Sequence, residues 1–282
     1  MNNPLHELGL PSDVLLWKAL LLTAMSFGVG IIGGFVGLAL GTVRLPILLL
    51  AGMPSTLAAG TNIIVSTASS FFGAIGHLRG RRVDFRVVVI MGIPSFAGAF
   101  LGGFYASRAP EGLLILTIGI LVVWQGIELL NKARLLVNPG GVDSPMASTL
   151  ALGNGKFKDN PMLAATTGLV IGVIGGAVGL ILGSLRLPTL IRALGLGPRI
   201  AAGTNMFIGF SMGASGWSGH VLRGQVDYPM AILMAMSAIG GVSIGSMLTG
   251  RVGLRSLVGS MAIVLTIVGA LMVWRGLGSV AN

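Results

Sequence analysis

Two arginines stand in apolar company, Arg44 in the run GTVRLP and Arg186 in GSLRLP. A guanidinium cannot be neutralised and is costly inside hydrocarbon, so either side chain near the middle of a bilayer is a functional candidate. Its planar fork suits an oxyanion. The alternative is that both sit at the bilayer surface, their charged ends snorkelling to water. Thr61 with Asn62, and Thr204 with Asn205, open matching segments and are candidate ligand donors. From Asn62 onward, Ser66, Ser69, Ser70, Gly73 and His77 recur at spacings of three and four, which on a helix makes one polar stripe facing protein or water. Its counterpart, Asn205, Gly209, Gly213, Gly216 and His220, is smaller and less polar, so close helix packing explains part of it. Gly41 before Pro46 and Gly183 before Pro188 end two glycine clusters, Gly33, Gly34 and Gly37 in one and Gly175, Gly176 and Gly179 in the other. Such clusters mark broken helices whose unwound backbone and half-helix amino termini offer hydrogen-bonding groups at membrane depth, although the same glycines also serve plain packing. The candidate substrate-binding set is Arg44, Arg186, Asn62, Asn205, Thr61, Thr204, Gly41, Gly183 and Ser66.

Other chemistry is poorly represented. His77 with Asp84, and His220 with Asp227, bracket short loops and admit a proton relay, but loop structure and orientation account for them more simply. Beyond Glu7 the glutamates are Glu111 and Glu128, both near expected helix ends, so no carboxylate relay crosses the chain. With 0 Cys there are no disulfides, thiolate metal sites or cysteine nucleophiles. No zinc-protease motif, nucleophile elbow or phosphate loop occurs, so the expectation is a protein without catalytic residues, metal or cofactor. The net charge of +10 comes from 18 Lys and Arg scattered through short loops, which fits membrane orientation and not nucleic acid.

The elements that must position these residues are membrane helices. The chain has 282 residues, 54% hydrophobic and 9% charged, with a mean hydropathy of +0.92, and its solvent must be lipid. Apolar runs such as 87–104, 113–130 and 261–273 recur, and about eight to ten segments of bilayer-spanning length fit. Continuous rather than alternating hydrophobicity excludes a membrane barrel. Residues 1–13 lack a basic region ahead of the first apolar stretch, so that helix is expected to stay. Trp124 and Trp274 read as interfacial anchors at helix ends.

An internal duplication organises the spans. Gly30–Pro46 and Gly172–Pro188 share 12 of 17 residues, AAGTN recurs at 58–62 and 201–205, and His77 and Asp84 align with His220 and Asp227. This divides one all-α transmembrane domain into a first repeat over 1–130, a polar connecting loop over 131–160 and a second repeat over 161–282. Each repeat reads as a glycine-rich helix, a short interrupted segment and three longer helices. Four crossings per repeat give parallel halves and five give inverted ones. With the inverted arrangement 13 of 18 basic residues face the cytoplasm, with the parallel one 11 of 18. Matching loops also change their basic bias, so the expectation leans to inverted repeats.

The ordered pair of a glycine-rich helix, a proline-led apolar segment, AAGTN and a His-to-Asp loop resembles the sulfite exporter TauE/SafE family of permeases, over nearly the whole chain. The elements carrying the resemblance are Gly41 with Pro46, Gly60–Asn62 and His77–Asp84, and again Gly183 with Pro188, Gly203–Asn205 and His220–Asp227. The chain departs from that pattern: the triple glycine before the proline is a single one, Asn62 and Asn205 stand where a serine is usual, and Arg44 and Arg186 occupy usually apolar positions. The resemblance implies movement, commonly outward, of small sulfur-containing or organic anions, and two extra arginines suit a more highly charged anion or a carboxylate.

The expected function is thus secondary transport, as an exporter, of a small anion such as sulfite, a sulfonate or a related organic acid held between the repeats, in a bacterial inner membrane. The expected partners are the lipid bilayer, that anion and a second copy of the chain in a homodimer. A non-transporting assembly or sensory subunit is the alternative class, and the absence of a soluble domain speaks against a sensor.

Overall fold

The computed structural model describes residues 16–36, 41–135, 161–248 and 254–281, all of whose regular structure is helical. The expectations for residues 1–13, for Gly37 and for most of the 131–160 connector lie outside the described residues. The helices are α1 (Leu16–Val36), α2 (Gly41–Leu50), α3 (Ser55–Arg79), α4 (Ile93–Tyr105) and α5 (Glu111–Leu135) in the first half. The second half has α6 (Pro161–Val178), α7 (Gly183–Pro188), α8 (Pro198–Val221), α9 (Tyr228–Leu248) and α10 (Leu254–Ala281). A turn at Phe85–Val87 and a π-helical stretch at Val88–Gly92 lead without a break into α4, and a second π stretch, Thr189–Ala193, continues α7. Five helices among the described residues are long and apolar enough to cross a membrane, beside shorter apolar helices at Trp17–Ile31, Gly41–Leu50 and Tyr228–Gly241. Their outer faces carry Leu20, Ile232, Ile267 and Trp274 largely exposed, as helices bathed in lipid do.

The short helices α2 and α7 are where the sequence interrupts itself. Helix α6 ends in a Schellman motif: Leu180 N–H donates to Gly175 O at 2.8 Å and Gly179 N–H to Gly176 O at 3.3 Å. Gly179 has φ +69°, and a Cβ there would strike the Ala59 backbone, so only glycine serves. At Gly183 α7 begins, and Pro188 withholds its ladder donor, after which the backbone widens into the π stretch. In the first half, Pro46 does the same inside α2, which returns toward the start of α1: Lys18 Nζ donates to Ala51 O at 2.8 Å.

Contacts between the halves are reciprocal. Helix α1 packs on α9 while its counterpart α6 packs on α4. Ser26 Oγ donates to Met234 O and, one turn on, Gly30 meets Ala238, so α1 and α9 run parallel. Gly168 against Met91, Gly172 against Ser95 and Gly176 against Ala99 give the same sense for α6 and α4. The self-matched pairs run the other way. Gly216 meets Ile63, Gly213 meets Thr67 and Phe210 meets Phe71, so α3 and α8 are antiparallel. Gly276 on Leu116 and Gly269 on Val123 make α5 and α10 antiparallel too. Small residues let these backbones approach, which drives association where lipid supplies no hydrophobic force between helices.

The loop between α3 and α4 and the loop between α8 and α9 are each fastened to the opposite half. Asp84 N–H donates to Thr204 Oγ1 at 2.9 Å, and Asp227 N–H donates to Thr61 Oγ1 at 3.1 Å. Gly203 and Gly60 leave room for the backbone carbonyls of Arg82 and Gln225, positions that a methyl group would occupy. Two sequence expectations shift. Helix α5 runs to Leu135, through the first residues assigned to the connector, and Trp124 therefore lies near its middle and not at its end.

Candidate functional site

Both guanidiniums are interior. Arg44 is 3% exposed and Arg186 0%, which excludes the surface-anchor alternative. Helices α2 and α7 carry them inward because Gly41 and Gly183, at the helix starts, face the α3 and α8 stripes without a side chain between: Asn62 Nδ2 lies 3.4 Å from where a Gly41 Cβ would stand, and Asn205 Nδ2 3.1 Å from that of Gly183. Between these elements is a small cavity of about 40 Å³ with polar groups in an otherwise apolar wall. From the first half it is lined by Gly41, Thr42, Ser66, Ser70 and Gln125, and from the second by Gly183, Ser184, Arg186, Asn205 and Gly209, with 180–182 and Met206 closing it. A space of that size holds a few waters or a very small polyatomic ion.

The two arginines are held differently. Arg186 donates through Nε to Asn205 Oδ1 at 3.0 Å, through Nη2 to Asn205 O at 3.4 Å and through Nη1 to Met212 Sδ at 3.0 Å. Arg44 reaches the cavity indirectly, donating through Nη2 to Ser66 Oγ at 3.2 Å, while its Nε has no partner. Asn62, the counterpart of Asn205, gives its amide N–H to Gly179 O at 2.9 Å across the halves, leaving Asn62 Oδ1 unpaired. Thr42 Oγ1 is also buried without a partner. The cause is local sequence: Ser66 offers Arg44 an acceptor, and the matching position in the second half is Gly209, so Arg186 turns to Asn205 instead. Neither guanidinium has a carboxylate partner among the described residues. Two uncompensated cations, with the positive end of α2 directed at the same space, create a strongly positive interior of low dielectric.

Of the expected site residues, Gly41, Gly183, Ser66, Arg186 and Asn205 line the cavity, Arg44 stands behind Ser66, and Asn62 braces the break after α6. Thr61 and Thr204 are engaged elsewhere, holding the loop amides of Asp227 and Asp84. His220 is likewise occupied, its ring nitrogens 2.8 Å from Gln225 Oε1 and Gly176 O, whereas the Nδ1 of its half-buried counterpart His77 has no partner. Sequence reasoning passed over Thr42, Ser184 and Gln125. The first two occupy one aligned position as hydroxyl residues, which is a legible signal. Gln125 is a lone amide in an apolar run, and Ser184 Oγ donates to its Oε1 at 2.8 Å.

A glycine-broken helical bundle around a buried cationic cavity defines a membrane transporter. The family model described as Sulfite exporter TauE/SafE matches residues 22–272, and the chain belongs to that family. Similar curated proteins are the Probable membrane transporter protein YunE of Bacillus subtilis (strain 168), 22% identical over 92% of this chain and 98% of its own, and YdhB of the same organism, described in the same words, 27% identical over 82% and 90%. A Probable membrane transporter protein, ORF9, of Sinorhizobium sp is 25% identical over 80% and 82%. No solved structure matches.

Proposed function

We propose that the protein is a secondary transporter that exports a small oxyanion, of the class of sulfite or a small sulfonate, across a bacterial inner membrane from the cavity between its two halves. The observation that carries this reading is the pair of buried guanidiniums without acidic partners among the described residues, at the meeting point of the two helix breaks. A buried ion persists where something compensates it, and in this cavity the missing partner is an anion. The antiparallel course of α3 against α8 and of α5 against α10 supports an inverted repeat, the arrangement in which one central site serves both faces of a membrane. The loop between α3 and α4, with Arg79, Arg81, Arg82 and Arg86 in or beside it, belongs on the cytoplasmic side by the positive-inside rule. A potential of 100 mV, negative inside, then drives each unit of expelled negative charge by about 2.3 kcal/mol.

Flux of sulfite and of methanesulfonate in proteoliposomes under an imposed potential tests the reading. The expected result is potential-dependent movement of at least one of them, lost in Arg186→Ala. Movement of neither, or equal movement in wild type and Arg186→Ala, overturns it.

A further inference from the structure

We propose that Asn62 and Asn205 are positioning residues that decide to which face of the membrane the cavity opens, each by choosing between the arginine of its own half and a bond across the halves; this rests on the transport reading. The two asparagines occupy equivalent places, each the eighth residue of its helix, α3 from Ser55 and α8 from Pro198. Arg44 and Arg186 are likewise each the fourth residue of theirs, α2 from Gly41 and α7 from Gly183. Their partners differ. Asn205 folds back on its own half, its Oδ1 accepting from Arg186 Nε at 3.0 Å and its Nδ2 donating to Gly183 O at 3.1 Å. Asn62 instead crosses to the other half and donates from Nδ2 to Gly179 O at 2.9 Å. The atoms that would pair if Asn62 behaved as Asn205 does are Arg44 Nε and Asn62 Oδ1, a donor and an acceptor, both buried and both without a partner. Ser66 accounts for the direction of Arg44 Nη2 but not for that bare pair.

The own-half position of the Asn62 amide is close at hand, since its Nδ2 lies 3.4 Å from the Cβ position of Gly41, against 3.1 Å for Asn205 Nδ2 and Gly183. Each asparagine also follows the threonine that holds a loop. Thr204 holds the loop between α3 and α4, whose arginines put it at the cytoplasm, and Thr61 holds the loop between α8 and α9. Because α3 and α8 are antiparallel, Asn62 stands toward the outer face and Asn205 toward the cytoplasmic one. The outer side is thus the one that an asparagine bridges, and the cavity lies against Asn205 and not against Asn62. The molecule is held shut more firmly outside and is poised to open to the cytoplasm. Opening outward exchanges the pairings: Asn62 takes Arg44, and Asn205 leaves Arg186 to bridge the halves. One pairing forms as its equivalent breaks, which is how two inverted repeats present a single site to each face in turn.

Labelling in right-side-out and inside-out membrane vesicles tests this. The chain has 0 Cys, so Ser70→Cys on the cavity wall supplies the sole thiol, and a membrane-impermeant methanethiosulfonate reads its access from each face. Gly80→Cys, in the arginine loop, calibrates the sides in a separate preparation. A carboxylate at 62 cannot donate to Gly179 O and attracts Arg44, whereas one at 205 holds Arg186 more firmly. Asn62→Asp therefore raises the ratio of outer to cytoplasmic labelling about tenfold, and Asn205→Asp lowers it by about as much, the scale of one charge-assisted hydrogen bond. Arg44→Met removes the partner that only the exchanged state uses for Asn62 Oδ1, and lowers the ratio as well. Substituting an asparagine that merely braced the fold would move access from both faces alike. Melting temperatures in detergent confirm which variants fold, and Arg44→Met keeps the test readable if an aspartate variant does not. Shifts of the two aspartate variants in the same direction, or no shift in either, overturn the proposal while wild-type sulfite flux stands. Access from one face alone in every variant, with no sulfite flux in wild type, removes the transport reading as well.

Discussion

Replacing Arg186 by methionine should make the protein more stable and useless. The guanidinium is wholly buried and its three partners are the oxygen Oδ1 and carbonyl of Asn205 and the sulfur of Met212, none of them charged. Burying an ion without a counter-charge costs several kcal/mol even after the surroundings relax, and exchanging buried ions for apolar side chains of similar volume is commonly neutral or stabilising by about 1–4 kcal/mol. Against that relief stands the loss of a partner for Asn205 Oδ1, about 1–3 kcal/mol if nothing replaces it. The carbonyl of Asn205 lies inside α8, where the helical ladder supplies its own donor. Because Asn205 borders the cavity, water can reach its side chain, and the net expectation for Arg186→Met is a gain of about 1–3 kcal/mol. The assay is thermal unfolding in detergent, with and without sulfite. Wild type should gain about 2.7 kcal/mol at a concentration one hundred times the dissociation constant, and the variant nothing. A variant that melts below wild type and still responds to sulfite would refute the reasoning, because the arginine would then be a structural brace and not the seat of an anion.

Other perturbations read other links. Gly203→Ala drives a methyl group into the Arg82 carbonyl and should lower stability by about 1–3 kcal/mol, while Gly28→Ala, with nothing near its Cβ position, should be neutral or raise it by about 0.5–1 kcal/mol; unfolding temperatures in detergent separate them. His220→Phe removes the buried polar contacts of the ring with Gly176 O and the Gln225 side chain at the end of α8, and should destabilise by about 1–3 kcal/mol without abolishing anion binding. Because the chain has 0 Cys, cysteine pairs can be introduced without background at Thr61 with Asp227 and at Thr204 with Asp84. If these loop contacts open in turn during transport, oxidation of either pair should stop sulfite flux and reduction restore it; undiminished flux through a fully cross-linked pair excludes opening at that place.

Much of this arrangement is visible in the residues because both halves repeat it. The doubled GxVRLP-like run locates the breaks, and the three-and-four spacing from Asn62 to Ser70 locates the polar face that meets them. What local sequence cannot carry is which partner a polar group meets when several are within reach. Thr61 and Thr204 look like ligand donors because they precede the asparagines, yet each is used by an amide far away in the chain, a pairing created only when α3 and α8 lie antiparallel. Gln125 belongs to the cavity because α5 passes beside α7, and nothing in the apolar run around it announces that contact. The course of α5 through Leu135 is hidden for a different reason: Asn131 and Lys132 are polar enough to end a membrane span, but not to end a helix that continues past the hydrocarbon.

The difference between the aligned positions Ser66 and Gly209 has a physical rationale for a transporter. Two bare guanidiniums facing one cavity of about 40 Å³ would repel each other by several kcal/mol at an effective interior dielectric of about 20, and would grip an anion between two forks. Setting Arg44 behind a serine hydroxyl removes one charge from direct contact and leaves its potential acting through a polarised O–H. An anion in the cavity would then meet one fork and several hydroxyls, enough attraction to draw it out of water and less than a double clamp would exert. Transport requires that balance, since an ion that enters a site too favourable to leave blocks it. On this view the glycine at 209 matters as much as the arginine at 186: a serine there would give Arg186 Nη2, 3.3 Å from the Cβ position, the same hydroxyl that Arg44 has, and the guanidinium would no longer face the cavity directly.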